Sequence, residues 1–484
     1  MSPNPTVRCC GGPRKLKRGE TILSDTAILV DQDEQSLLSR CTAFFVYMFE
    51  RLIPDPYVFA VILTFVGALL AFLLAPNASP KNILSAWYGG VFGILTFAFQ
   101  MVLMLVTGYS LASAPVVAAA LAKVASIPKN AKSAISLTVF IAMVACWLNW
   151  GLGLVVSALL AREIAKRVRI DFGWLVAAAY SGFVISTEGL SGSIALSQAT
   201  HGSVLNIVEK VTGQMTPLSQ TVFTRFNLIP ILVLFLVLPV VFRYLGPPAA
   251  SAHFADPERL RSEDQVQHGK EKTDSIGSKL DHAWILNVLL VVFGGAALAI
   301  EWLRTGFSLD LNSVIMTLLL AGLLLHWTPA AYVSAVQRAA RITGSLILQY
   351  PLYGGLMGIM TGTGLAGVLA KAFLRFSTVH TLPFYTYLTS LIITLFVPSG
   401  GGHWAVQGPF AIPAARDLHA SLAATTMSVA MGESVANMLQ PFWALPILAI
   451  AGIPMRRVMG FMVITFVISF IVFGASLLLL IPRG

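Results

Sequence analysis

Polar groups able to do chemistry are sparse in this chain, and they gather at breaks in apolar stretches. Asn149-Trp150-Gly151-Leu152-Gly153 interrupts one such stretch, and Pro398-Ser399-Gly400-Gly401-Gly402-His403 interrupts another. Glycines let backbone come close to a ligand, and a helix that begins after a break offers unsatisfied N–H groups that favour an anion. Ser399, His403, Asn149 and the Ser191-Gly192-Ser193 run add hydroxyl, imidazole and amide donors suited to a carboxylate. The pattern predicts a small-carboxylate site built from Asn149, Gly151, Gly153, Ser191, Ser193, Ser399, Gly400, Gly401, Gly402 and His403. The competing reading is that the glycines only allow close helix packing, as small residues do in membranes.

Acids inside apolar segments are costly and are read first as functional. Glu433, in a broken apolar helix, is the leading candidate for coupling to a proton or ion, and Glu188 holds the matching place earlier in the chain. Glu433 could instead stay protonated and bond a neighbouring helix, and Glu188, beside a glycine-rich segment, could lie in a wet vestibule. His403 could contact the carboxylate, shuttle a proton, or cap the helix starting at Trp404. Trp147, Trp150, Trp404 and Trp443 could wall a pocket for a short acyl chain or serve as packing and interfacial anchors. Arg162-Glu163 and Arg416-Asp417 fall where the interrupted stretches end and are read as fixing those ends.

The elements that must position these residues are membrane helices. The chain is 56% hydrophobic and 11% charged, with a mean hydropathy of +0.78, whereas an average soluble domain is roughly 25% charged. A span needs about 20 apolar residues. Nine blocks meet that need: Tyr57 to Ala75, Gly89 to Ser110, Trp174 to Ser197, Thr221 to Tyr244, Ala283 to Trp302, Leu311 to Trp327, Gly344 to Ala370, Leu422 to Ile450 and Val458 to Ile481. Ser133 to Ala161 and Phe384 to Ala415 are read as re-entrant hairpins. The first has basic residues at both ends, the second is opened by three glycines, and Pro398 stops its leading helix.

The two halves echo each other. Gln100 and Gln349, the tips at Asn149 and Ser399, and Ala161-Arg162-Glu163 and Ala415-Arg416-Asp417 recur at offsets of 249, 250 and 254 residues. Each hairpin is followed by another interrupted helix, carrying Ser186-Thr187-Glu188-Gly189 or Gly432-Glu433-Ser434. Repeated broken elements mark alternating-access carriers. With a cytoplasmic N-terminus the repeats take opposite orientations, and 24 of the 32 Lys and Arg fall on the cytoplasmic side. The expected fold class is therefore an all-α polytopic membrane protein of about nine transmembrane helices plus two re-entrant hairpins in an inverted repeat. Residues 1–54 form a cytoplasmic tail and 55–484 the transporter domain. Within that domain lie repeat one at about 87–245, a linker at 246–282, connecting helices at 283–336 and repeat two at about 337–482.

The charge of +10 is spread between apolar blocks, which fits positive-inside topology better than nucleic-acid binding. Cys9, Cys10, Cys41 and Cys146 have neither metal-site nor disulfide spacing, and no cleaved signal peptide is expected. No GxxxxGK[ST], HExxH or GxSxG motif occurs, so no cofactor is expected and an ion gradient, H⁺ or Na⁺, is the expected driver.

Val397 to Ala415, Gly432-Glu433 and Gln440 to Pro446 closely resemble the bacterial short-chain fatty acid transporters. Leu52 to Pro56, Gln100-Met101, Val106 to Gly108, Asn149 to Val156 and Ser191 to Ser193 agree with the same family, so the likeness runs from about residue 44 to the C-terminus. Members resemble permeases of the larger ion-transporter group with paired re-entrant hairpins. The resemblance implies uptake of butyrate- or acetoacetate-like anions across the bacterial cytoplasmic membrane. Glu433 matches the family pattern, whereas an acid at Glu188 departs from it, and the tail before residue 44 is longer than the family leads one to expect. The expected partners are a short-chain carboxylate, the lipid bilayer and possible further copies of the chain. A dicarboxylate carrier, and an integral membrane enzyme using His403 and Glu433 on a lipid or acyl substrate, are the alternatives.

Overall fold

The computed structural model describes residues 56–247, 252–258, 260–261, 275–307, 309–395, 397, 399–440 and 442–481. The tail, with Cys9, Cys10 and Cys41, and Pro398 therefore lie outside the described residues, as does much of the 246–282 linker. Among the described residues the regular structure is helical, with one isolated bridge between Asp171 and Phe254.

Helices α1 (Pro56–Leu74), α2 (Pro80–Gly93), α3 (Leu95–Ala112) and α4 (Pro115–Val124) lead to a first hairpin, α5 (Ala131–Leu148) and α6 (Trp150–Ala165). Helix α7 (Phe172–Ser181) passes through a 3-10 turn and the irregular segment 186–192 into α8 (Ser193–Ala199), α9 (Ile207–Thr212) and α10 (Arg225–Tyr244). Beyond the linker come α11 (Ile276–Asp281), α12 (Trp284–Thr305), α13 (Leu311–His326), α14 (Pro329–Ala340), α15 (Gly344–Gly362) and α16 (Leu365–Leu374). A second hairpin, α17 (Leu382–Thr394) and α18 (Gly400–Asp417), is followed by α19 (Leu422–Ala436), α20 (Ala444–Ala451) and α21 (Met462–Leu479).

Five helical runs among the described residues are long and apolar enough to cross a membrane: α2 with α3, α5, α10, α12 and α21. The pair α15 and α16 makes a sixth if counted as one span, although it bends by 78°. Three of the nine expected blocks are thus not straight helices. Gly344 to Ala370 turns at Gly364, whose φ of +84° is a conformation that L side chains rarely adopt. Leu422 to Ile450 divides into α19 and α20. Trp174 to Ser197 breaks at 186–192, where Ser, Thr and Gly give little support to a helix. The backbone of that break finds its partner in the first hairpin: Leu190 N–H donates to Trp147 O at 2.8 Å.

The first hairpin turns on the single residue Asn149, in extended conformation (φ −155°, ψ 126°), and in the second α18 is entered from Ser399, also extended (φ −128°, ψ 121°). A methyl group on Gly153 would stand 2.5 Å from Cys146 Cα, so only glycine lets the first pair of arms close this tightly. Small residues also seat α15 on α2, where Gly354 and Gly358 face Gly90 and Ala86. The largest apolar core joins the first hairpin and α7 to α10, α19 and α21, and a smaller one surrounds α15, α16 and the far end of α18.

Candidate functional site

The tips of both hairpins border one narrow internal cavity. Only about 20 Å³ within it accommodates the centre of a water molecule. Trp150 contributes from the first tip and Gly400 from the second, with Glu433 of α19, Ser193 of α8 and Ser186 and Thr187 of the irregular segment. Met101, Phe183, Tyr350 and Trp443 complete the wall. No Lys, Arg or His is among these residues.

The tips are chemically unequal. At the first, the Asn149 side chain accepts from Leu152 N–H at 2.8 Å and Ser191 Oγ accepts from Trp150 N–H at 2.9 Å. Those backbone donors are already used. At the second, Ser399 makes no side-chain cap to α18 and instead donates to Tyr350 Oη at 3.0 Å. The first turn of α18 therefore carries its N–H groups without a side-chain cap, and its first glycine lies on the cavity wall. Because Tyr350 accepts from Ser399, its own O–H proton remains for another acceptor.

Both candidate acids are buried here, Glu433 at 1% exposure and Glu188 at 0%. Glu433 Oε2 and Ser186 Oγ have no hydrogen-bond partner among the described residues, although both residues line the cavity. Glu188 is embedded behind the wall. Ser434 Oγ donates to its Oε2 at 2.9 Å and Thr187 Oγ1 to its Oε1 at 3.0 Å. Thr187 Oγ1 is also 3.0 Å from Ala430 O and in short contact with Ser434 Oγ. Four oxygen–oxygen contacts thus share two hydroxyl protons. Asn227 Nδ2 donates to Glu188 O at 3.1 Å and anchors the backbone of the break. These bonds join the two halves, since Thr187 and Ser434 are 247 residues apart.

Of the residues expected from sequence, Ser193, Gly400 and Glu433 line the cavity and Glu188 adjoins it through Thr187 and Ser434. Asn149 and Ser191 hold the first tip in shape, and Ser399 aims Tyr350. Gly151 and Gly153 are sites of close packing against Leu105 and Cys146, and Gly401 and Gly402 pack against Phe97 and Tyr353. His403 is fully buried one turn behind the tip. Its Nδ1 is 3.0 Å from Thr394 Oγ1 and its Nε2 2.5 Å from Gln407 Oε1, while Gln407 Nε2 donates to Thr386 O at 2.9 Å. That set of bonds ties α17 to α18.

Trp150 and Trp443 meet edge to face at 5.2 Å, and Phe183 adds a third ring 5.8 Å from Trp443. Trp147 and Trp404 lie off the cavity, with Trp404 Nε1 donating to Leu205 O at 2.9 Å. Tyr350 and Phe183 were not singled out from sequence. Tyr350 follows Gln349, which marks the second repeat, and that adjacency is the one signal that pointed near it. Arg162 donates to Ile450 O at 2.9 Å and so ties the end of the first hairpin to α20, whereas Arg416 pairs only with its chain neighbour Asp417, at 2.8 Å, among the described residues. Among the described residues no group of three or more His, Cys, Asp or Glu could hold a metal ion, and Cys146 is a buried free thiol.

Residues 37–480 match the family described as short chain fatty acid transporter. A protein of Escherichia coli K12, named as a candidate short-chain fatty acid transporter, is 38% identical over 444 residues, 92% of this chain and 100% of that protein. A protein of the same name from Haemophilus influenzae Rd is 35% identical over 429 residues, 88% and 96% of the two chains. Among solved structures, the YdaH transporter of Alcanivorax borkumensis superposes with a TM-score of 0.56 at 16% identity, over 91% of this chain and 97% of that one. Neisseria gonorrhoeae MtrF, described under a class of antimetabolite efflux pumps, gives 0.55 at 17% over the same shares. At those identities the two structures speak to the fold alone.

Proposed function

Because this chain belongs to the short-chain fatty acid transporter family and is a transporter rather than an enzyme, we propose that it carries short-chain carboxylates such as butyrate or acetoacetate. Transport proceeds by alternating access, and each anion moves together with H⁺ or Na⁺. The observation that carries the reading is the cavity itself: hairpin tips and a buried acid surround it, and no basic side chain lines it. An anion beside Glu433 without a countercharge would meet like-charge repulsion in a desolvated site. A proton or cation bound at the same time removes that penalty. It also offsets an inside-negative potential worth roughly 2.3 kcal/mol per charge per 100 mV.

In this reading the carboxylate sits at the uncapped start of α18, receiving hydrogen bonds from Tyr350, Ser193 and Ser186. The acyl chain lies against Trp150, Trp443 and Phe183. Glu433 binds the coupling ion, and Glu188 holds a second proton or cation that supplies the charge its hydroxyl cluster shares. The space left between the side chains is smaller than such a substrate, so binding requires the tips to separate. This matches an occluded stage of alternating access. A dicarboxylate would bring a second anionic group to a wall with no cation, which disfavours that alternative.

Uptake of radiolabelled butyrate into proteoliposomes, with proton and sodium gradients imposed separately and empty liposomes as control, tests the proposal. Saturable uptake driven by one gradient supports it and identifies the ion. Uptake no greater than in empty liposomes under both gradients rejects it.

A further inference from the structure

A second cavity lies at the opposite end of the first hairpin from its tip. It encloses about 400 Å³, is broadly open to the outside, and is formed where the segment entering α5 faces the segment leaving α6. Lys129, Arg167 and Arg169 line it, with Asn130 beside them and Pro128 and Val168 as apolar floor.

The neighbouring acids neutralise this group of cations only in part, through Arg167. Glu163 is held by Lys166 and by Arg167, the latter at 2.6 Å. Asp171 accepts from Trp174 N–H and His253 N–H, each at 2.7 Å. The Arg169 guanidinium sits over the Phe254 ring, its Cζ 4.5 Å from the centroid, and no carboxylate pairs with it or with Lys129 among the described residues. A cation–π contact uses no N–H···O bond, so guanidinium donors remain for an anion. Arg167 engages Glu163 through Nη1, which leaves its Nε and Nη2 donors. Ile127, next to Pro128, is 63% exposed and puts an apolar side chain beside the opening.

We propose that this pocket binds a phosphate-bearing anion: three cations, one of them fixed on an aromatic shelf, surround a cavity large enough for a phosphate group. The headgroup of an anionic phospholipid is one source and a soluble phosphate monoester the other, and the exposed Ile127 favours the lipid. Because the lining comes from both ends of the hairpin, an occupant would tie the entry to α5 to the exit from α6 and brace the arms that present Trp150 to the transport cavity.

The test uses the full chain, purified in detergent and stripped of lipid, and follows thermal melting during titration with phosphatidylglycerol, phosphatidylcholine or glycerol phosphate. Wild-type protein should be stabilised at lower concentrations of phosphatidylglycerol than of phosphatidylcholine, and Lys129→Gln/Arg169→Gln should weaken that response roughly fivefold per cation removed. Lys129→Gln alone breaks no side-chain bond among the described residues and tests the pocket should the double variant fold poorly. Lys81→Gln/Lys371→Gln controls for loss of charge elsewhere and should leave the response unchanged. Stabilisation by glycerol phosphate that is lost in Lys129→Gln also supports the pocket and identifies the soluble source. Equal responses to the two lipids with none to glycerol phosphate, or a response unchanged in the pocket variants, overturns the proposal.

Discussion

Tyr350 shows how one hydrogen bond can set a neighbour's task. Ser399, expected from sequence to touch the carboxylate, instead donates to the tyrosine oxygen and leaves the phenolic proton for the cavity. If that proton meets the substrate, Tyr350→Phe should raise the half-saturation concentration for butyrate roughly ten- to hundredfold, since a hydrogen bond to a charged group is worth about 1.5–3 kcal/mol. Initial rates in proteoliposomes measure this, and an unchanged value would remove Tyr350 from the binding set. Glu433 presents a different case, with a carboxylate oxygen that faces the cavity unpartnered. Glu433→Gln keeps the shape and removes the charge, so gradient-driven uptake should vanish while thermal melting of the purified protein stays close to wild type. In a proton-coupled carrier, wild-type uptake should rise as the outside is acidified and the variant should not respond. A Gln variant that accumulates butyrate normally would exclude this acid from coupling.

At the scale of elements, glycines that look alike in the sequence do different work. A methyl group on Gly153 meets the backbone of Cys146, which cannot yield without separating α5 from α6. On Gly400 it meets Ser193 Oγ at 2.5 Å and Glu433 Oε2 at 2.9 Å, both ends of side chains that can turn aside. Gly153→Ala should therefore cost stability, about 1–3 kcal/mol for overpacking, seen as lowered thermal melting. Gly400→Ala should melt near wild type and lose butyrate uptake, because the added carbon occupies the cavity. The reverse pattern would mean that the second tip is structural and the first functional. Nothing in the spelling of the two motifs separates these roles, which depend on what packs opposite each glycine.

For the whole molecule, an inverted arrangement of the halves puts the ends of the two hairpins on opposite sides of the membrane. In a variant lacking the native cysteines, Ser126→Cys should react with a membrane-impermeant maleimide only from the cytoplasm, and Asp417→Cys only from outside. Labelling of both from the same side would contradict the inversion. The acid-bearing segments of the two halves already meet at the centre, through Ser434, Thr187 and Glu188. Movement of one half against the other would strain those bonds together with the cavity walls.

Read alone, the sequence determined that the chain is an apolar helical protein and where its two hairpins turn, and it singled out Glu433 and Glu188 among the acids. These follow from local rules: apolar length, glycine and proline at breaks, and the rarity of acids in apolar helices. Its motifs also determined the family, because runs such as Val397 to Ala415 carry enough specific positions to do so. Tertiary structure alone decided that Asn149 and, from the irregular segment, Ser191 cap the first tip, that His403 fastens α17 to α18, and that Tyr350 and Phe183 face the cavity. It also decided that Glu188 lies behind the wall and Glu433 on it. A hydrogen bond or a wall contact between residues hundreds of positions apart has no local signature. Whether a polar side chain is spent on the fold or left for a ligand is known only once its neighbours are in place.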